Sequence, residues 1–247
     1  MSTDIQIKSE PSSKSPSPQT NGDAAAAARH HFASPPTVCA RPGSEYFDAL
    51  LWRLFERRED PTGAGYLLGV TGCARQSGVS TVAANVAIRA ADHGLGPVLL
   101  IDANEHHPHL HRLFSAKSRV GLAEVMSGQT SLAEAAQSTR VHGLQLVPLG
   151  SAGLMKRVRI DSARIEALVA ELRETYSLVL VDLPGACQMS HCPGLAHALD
   201  GALLVIRSER IGRGVANECQ RRLAHDGIHI LGAVITDQHT YLPSWLT

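Results

Sequence analysis

Six short, nearly uninterrupted apolar runs constrain this chain more than any other feature: Tyr66–Thr71, Pro97–Asp102, Leu144–Pro148, Leu178–Asp182, Ala202–Ile206 and Ile228–Ile235. A strand with one wet face alternates apolar and polar residues. These runs do not alternate, so each reads as a strand buried on both faces. Amphipathic stretches over 80–93, 161–175 and 212–226 separate them. Phe47, Leu50, Leu51, Leu54 and Phe55, following Ser44, are spaced for a further helix over 44–58. Such strands interleaved with helices predict an α/β fold: a doubly wound, mostly parallel sheet in a three-layer α/β/α arrangement.

The chain carries 23 basic and 23 acidic side chains and no formal net charge, which argues against a surface built to grip nucleic acid. Of its 247 residues 44% are apolar, enough for a core. Residues 1–43 differ in texture, with Pro11–Pro18 rich in Ser and Pro and an alanine run over Ala24–Ala28. Such a segment buries too little apolar surface to offset its ordering entropy and is expected to be a disordered tail, leaving 44–247 as one α/β domain. Cys39, Cys73, Cys187, Cys192 and Cys219 are odd in number and widely spaced, unlike a disulfide framework. Met1–Glu10 contains no apolar signal region, and no apolar run reaches the roughly 18–20 residues that cross a bilayer. These features predict a soluble, cytoplasmic protein without a membrane span.

In doubly wound sheets ligands bind at the carboxyl ends of the strands. There the first run is followed by Gly72, then Cys73, Ala74, Arg75, Gln76, Ser77, Gly78, Val79, Ser80 and Thr81. The phosphate-binding pattern G-x-x-x-x-G-K-S/T would occupy 73–80. Gly78, Ser80 and Thr81 fit it. Cys73 replaces the first glycine and Val79 the lysine. Two further runs end in acids, Asp102 and Asp182, and the second has the form of a Walker B strand.

With these motifs in order, the chain resembles the bacterial tyrosine-kinase branch (CpsD/CapB type) of the MinD/ParA-like P-loop ATPases. Ser44-Glu45 matches that family's opening helix, and Cys73 to Thr81 align with its A-E-P-G-E-G-K-S-T. Leu99 to Pro108 align with L-L-I-D-x-D-x-R-x-P, and Gly121 to Gly128 with G-L-x-E-V-L-x-G. Tyr176-Ser177 precede the Walker B strand, and Tyr241 to Thr247 resemble a Y-x-I-P-x-W-L ending. The resemblance covers about 44–247. It implies ATP cradled by Cys73–Thr81, Mg²⁺ held by Ser80, Asp102 and Asp182, and Asp102 and Asp182 as the catalytic acids. It also implies a polysaccharide co-polymerase or export membrane protein as partner, localisation at the inner face of the membrane, and a homo-oligomer with the 44–58 helix as a candidate contact.

Several departures fall in that implied site. Val79 brings no charge to the phosphates. Gln76 stands where the family has glycine and is expected to disfavour positive φ. Asn104 replaces the second acid of D-x-D and His106 the following arginine. Val234-Ile235-Thr236 replaces V-L-N on the adenine side. Arg75 offers a charge but reads better as a solvated loop residue, and Ser80 and Thr81 compete as helix caps. A lone Tyr241 is not the tyrosine cluster of the family's autokinases.

Histidine is in surplus: 13, more than the four Phe, two Trp and four Tyr together. His106, His107, His109 and His111 crowd one segment, with Cys187, His191 and Cys192 after the Walker B strand. Imidazole and thiolate suit zinc, although the spacings match no standard zinc pattern. Three functions follow as expectations: a degenerate, non-catalytic or weakly ATP-binding regulator of polysaccharide biosynthesis or export; an active ATPase or protein-tyrosine kinase; and a metal- or redox-sensing module.

Overall fold

A computed structural model describes residues 7–8, 44–56, 64–157, 161–188, 193–208 and 210–237. Among these, the apolar runs become the strands of one sheet: β1 (Ile7–Lys8), β2 (Tyr66–Gly72), β3 (Val98–Asp102), β4 (Gln137–Ser138), β5 (Leu144–Val147), β6 (Leu178–Asp182), β7 (Gly201–Arg207) and β8 (Ile230–Thr236). Their order is β1-β8-β7-β2-β6-β3-β5-β4. The six longer strands run parallel, while β1 and β4 pair antiparallel at the two edges. The helices are α1 (Ser44–Glu56), α2 (Val79–Asp92), α3 (Leu110–Leu113), α4 (Leu122–Ser127), α5 (Leu132–Ala135), α6 (Ala152–Met155), α7 (Ser162–Thr175), α8 (Pro193–His197) and α9 (Arg213–His225).

Strand side chains point alternately to opposite faces, and the core follows that period. Leu68, Val70, Leu100, Leu180, Leu203 and Val205 face one way, packed with Leu50 and Leu51 of α1 and Val82, Ala83, Val86 and Ala87 of α2. Leu67, Leu99, Ile101, Val179 and Val181 face the other way, against Leu122 and Met126 of α4 and Ile165, Leu168 and Leu172 of α7. A third cluster lies under α9. This is the three-layer α/β/α arrangement the runs predict. The differences are local. β1, β4 and the short helices α3–α6 and α8 carry too little periodicity to be seen in the sequence, and β8 begins two residues later than the run at Ile228. The tail expected over 1–43 falls outside the described residues except for Ile7 and Lys8. The Tyr241 ending lies outside them altogether.

α1 is held on α2 by charge as well as by leucines. Arg89 of α2 grips Asp48 of α1 through two hydrogen bonds, at 2.7 and 2.9 Å, and His93 Nε2 stands 2.8 Å from the same carboxylate. Burial works to raise the Asp48 pKa, but its bonds to Arg89 and His93 outweigh it and hold the carboxyl below its usual value. A lowered folded pKa contributes stability above the unfolded value, and that contribution is lost as pH falls through the folded one. Asp48→Ala should therefore cost about 1–2 kcal/mol at pH 7 in urea unfolding, with the difference from wild type shrinking below about pH 4.

Candidate functional site

Parallel strands with crossover helices present their carboxyl ends at one edge, and the loop leaving β2 lies there. Gly72 closes the strand against the chain that follows: a Cβ there would lie 2.8 Å from Cγ2 of Val79 and 3.2 Å from Cβ of Ser77. Gln76 takes φ 61° and Gly78 φ 88°. The loop thus enters the left-handed region at Gln76 despite its side chain, contrary to the expectation that Gln76 disfavours positive φ. The strain, on the order of 1 kcal/mol, is met by the packing around it. Ser77 Oγ donates to the Ala74 carbonyl at 2.8 Å, and Thr236 Oγ1 at the end of β8 donates to the Ser77 carbonyl at 3.0 Å. Arg207 at the end of β7 donates to the Gln76 carbonyl at 3.4 Å and pairs with Asp237 at 2.5 Å.

Gly78 is the N-cap of α2, and no side chain caps that end. Ser80 and Thr81 therefore sit inside the first turn, and the capping role weighed for them is not taken. Val79, at the lysine position, packs against the core beneath α2. Ala74, Arg75 and Gln76 are exposed.

Asp102 and Asp182 are register partners on adjacent strands and are wholly buried. Asp102 accepts backbone N–H groups from Asn104, His109 and Leu110 at 3.0–3.1 Å. Burial nonetheless pushes it up to about 6. Burial and then the charge of Asp102 raise Asp182 well above its ordinary value. Ser80 approaches the Asp182 carboxylate and offsets part of that rise, yet neither Asp182 oxygen has a hydrogen bond of good geometry. Two orphaned buried carboxylate oxygens, a neighbouring hydroxyl and a second carboxylate match the all-oxygen preference of Mg²⁺. Zinc fares differently: among the described residues no three His, Cys, Asp or Glu side chains gather as a metal site. The Cys187 side chain, His191 and Cys192 lie outside those residues. In the histidine segment His107 and His109 are exposed, and His106 stands 3.5 Å from Glu105.

The sequence reading missed Thr236 as a loop clamp and missed Arg207 with Asp237 entirely. An arginine ending an otherwise apolar strand was the available signal. Two cavities lie at the opposite edge, where the strands begin. The larger, about 630 Å³, is lined by residues such as Gly96, Val141 and Tyr176 and is remote from this chemistry.

No protein-family model matches the chain. The tyrosine-protein kinase YwqD of Bacillus subtilis is 29% identical over 166 residues, covering 67% of this chain and 70% of that protein. EpsB of Ralstonia solanacearum is 31% identical over 177 residues, 71% of this chain but only 24% of its own length. Etk of Escherichia coli, a tyrosine-protein kinase, is 27% identical over 68% of the chain and is likewise matched over 23% of its length. The chain thus spans about a quarter of these longer relatives. The Etk kinase domain superposes with TM-score 0.69 at 26% identity, over 82% of this chain and 80% of that domain. MinD of Pyrococcus horikoshii, complexed with Mg-ADP, superposes with TM-score 0.58 at 19% identity, over 68% of this chain and 69% of that one, and shows the shared fold. No helix among the described residues is long and apolar enough to cross a membrane.

The carboxylate pair sets a pH signature. A folded pKa raised above the unfolded one costs nothing below about pH 4 and costs progressively more as pH rises through the folded value, on the order of 2–3 kcal/mol for a shift like that of Asp102. In EDTA, Asp182→Asn should therefore raise the melting temperature, and by more at pH 8 than at pH 5. Added Mg²⁺ should raise the wild-type melting temperature but leave that of Asp182→Asn unchanged.

Proposed function

We propose, from the premise that this chain is a relative of bacterial tyrosine-protein kinases with the fold of MinD-type P-loop ATPases, that it is a degenerate member of that branch: a weakly ATP-binding or non-catalytic regulator of polysaccharide biosynthesis or export. The observation that carries this reading is Val79. Phosphoryl transfer depends on charge placed around the phosphates, and the lysine of the P-loop supplies much of it. Here that position is an aliphatic side chain, half-buried and packed against the core. Removing one electrostatic group of this kind costs roughly 10²–10³ in rate.

The rest of the loop supports retained, weakened nucleotide contact rather than a collapsed site. Gln76 and Gly78 keep left-handed conformations, and Thr236 steadies the loop from β8. The N-terminus of α2 offers N–H groups without a competing side-chain cap, which suits a phosphate. Ser80 and Asp182 would hold Mg²⁺, with Asp102 beside them, and the ion would supply charge neutralisation at the phosphates. Asp102 itself is oriented by three backbone N–H groups and so adds a fixed negative charge.

By analogy with the relatives, the partner is a polysaccharide co-polymerase or export membrane protein. Localisation is then cytoplasmic, peripheral to the inner face of the membrane.

Calorimetry with Mg-ATP tests the reading. It should give weak binding and no hydrolysis above an Asp182→Asn control. Micromolar binding with hydrolysis that Asp182→Asn abolishes would refute it in favour of an active ATPase or kinase. Val79→Lys combined with Gln76→Gly should tighten ATP by about 10–100-fold, equivalent to about 1.4–2.7 kcal/mol. The glycine should also relieve the strain at position 76.

A further inference from the structure

Two cysteines meet behind the phosphate-binding loop. Cys73 begins that loop, and Cys219 lies on α9. They share one small apolar cluster with Ala186 and Leu204, and neither is in a disulfide. The Cys219 thiol points at the backbone carbonyl of Cys73, with Sγ 3.8 Å from the oxygen. Adding the covalent geometry on both sides, from that oxygen to Cα of Cys73 and from Sγ to Cα of Cys219, puts the two Cα atoms at most about 9 Å apart. Disulfide-bonded cysteines have Cα atoms roughly 4.4–6.8 Å apart, so rotamer changes and a backbone shift of up to about 2 Å are what a bond would require.

We propose that Cys73 and Cys219 form a dithiol modification site, oxidised by a low-molecular-weight disulfide of the glutathione type to an intramolecular bond that pins the phosphate-binding loop to α9. Cys73 is 7% exposed and Cys219 1%, so Cys73 reacts first. Its thiolate attacks one sulfur of the small disulfide, forming a mixed disulfide and releasing one small thiol. The Cys219 thiolate then attacks the Cys73 sulfur and releases the second thiol. The two cysteine protons end on the two released thiols, the protein loses two electrons, and the small disulfide gains them. The consequence lies in the loop. Its first residue is already fastened to β7 by the Cys73 N–H to the Val205 carbonyl, at 3.3 Å. A covalent link on the other side leaves that end without freedom to adjust around a phosphate.

The test uses the full chain, reduced, then incubated with oxidised glutathione, alkylated and digested with trypsin without reductant. Cys73 falls in peptide 59–75 and Cys219 in peptide 214–221. The expected result is a linked pair of these two peptides from the monomeric chain. Dithiothreitol should separate them, and Cys73→Ala and Cys219→Ser should each lack the linked pair. Amide exchange across 73–78 should be slower in the oxidised form. Recovery of both cysteines alkylated with no linked pair would sink the proposal, as would Cys73 joined to another cysteine or a link between two chains. The peptide map of the unsubstituted chain decides the matter even where a variant fails to fold.

Discussion

The register between β3 and β6 sets two buried carboxylates side by side, and much of the site's behaviour follows from that placement. The same pairing that buries Leu100 against Leu180 carries Asp102 to Asp182 at the next opposed position. Both strands are apolar up to that point, so the sheet buries its last residues as completely as its first. Two like charges in such surroundings cannot both stay ionised cheaply. Either one is protonated or a cation sits among them. The backbone has already invested in Asp102, aiming three N–H groups at it, whereas Asp182 is left without good partners. That asymmetry leaves Asp182 the less satisfied of the two carboxylates and Asp102 the one its backbone holds in place.

Against this retained acidic half stands an altered phosphate half. In the loop after β2 the conformation survives while the charge does not. Its shape depends on contacts that need no nucleotide: Gly72 pressed against Val79 and Ser77, Thr236 holding the Ser77 carbonyl, and Arg207 touching the Gln76 carbonyl. Val79 adds to this by packing its half-buried aliphatic side chain against the core at the start of α2. A loop held by its own packing keeps its form without a charge at that position. The strained conformation at Gln76 is therefore a property of the scaffold, and it is no evidence of turnover.

How far this was legible in the sequence differs between scaffold and site. Strands β2, β3, β5, β6, β7 and β8 and helices α1, α2, α7 and α9 could be read to within about two residues, because burial on both faces writes an unbroken apolar run and helices write a 3.6-residue period. The loop's place, the missing lysine and the two strand-end acids were legible for the same reason. The clamps were not. Thr236 and Arg207 reach the loop from strands about 130 to 160 residues away in sequence, a proximity only the parallel crossover topology creates. Gln76 was misread because propensity alone speaks against positive φ in glutamine, and tertiary packing overrode it. The competing capping role of Ser80 and Thr81 is not taken because Gly78, in its left-handed conformation, already starts the helix.

The histidine surplus resolves along the same division between scaffold and site. His93 belongs to the scaffold, sharing Asp48 with Arg89 where α1 meets α2. His111 is partly buried, and burial, then Arg112 and His109, lower its pKa, which favours its neutral form. His106 lies against the buried Glu105. Four clustered imidazoles in sequence are thus not four ligands in space. α3 turns within four residues, sending His109 and His111 into different surroundings, and the crowding that suggested a metal reflects chain order more than a shared centre. Cysteine behaves the other way. Cys73 and Cys219 are 146 positions apart with nothing in the sequence to pair them, yet the crossover that carries α9 over β7 closes that gap to a thiol–carbonyl contact. Proximity made by topology, rather than clustering made by sequence, is where this chain brings reactive groups together.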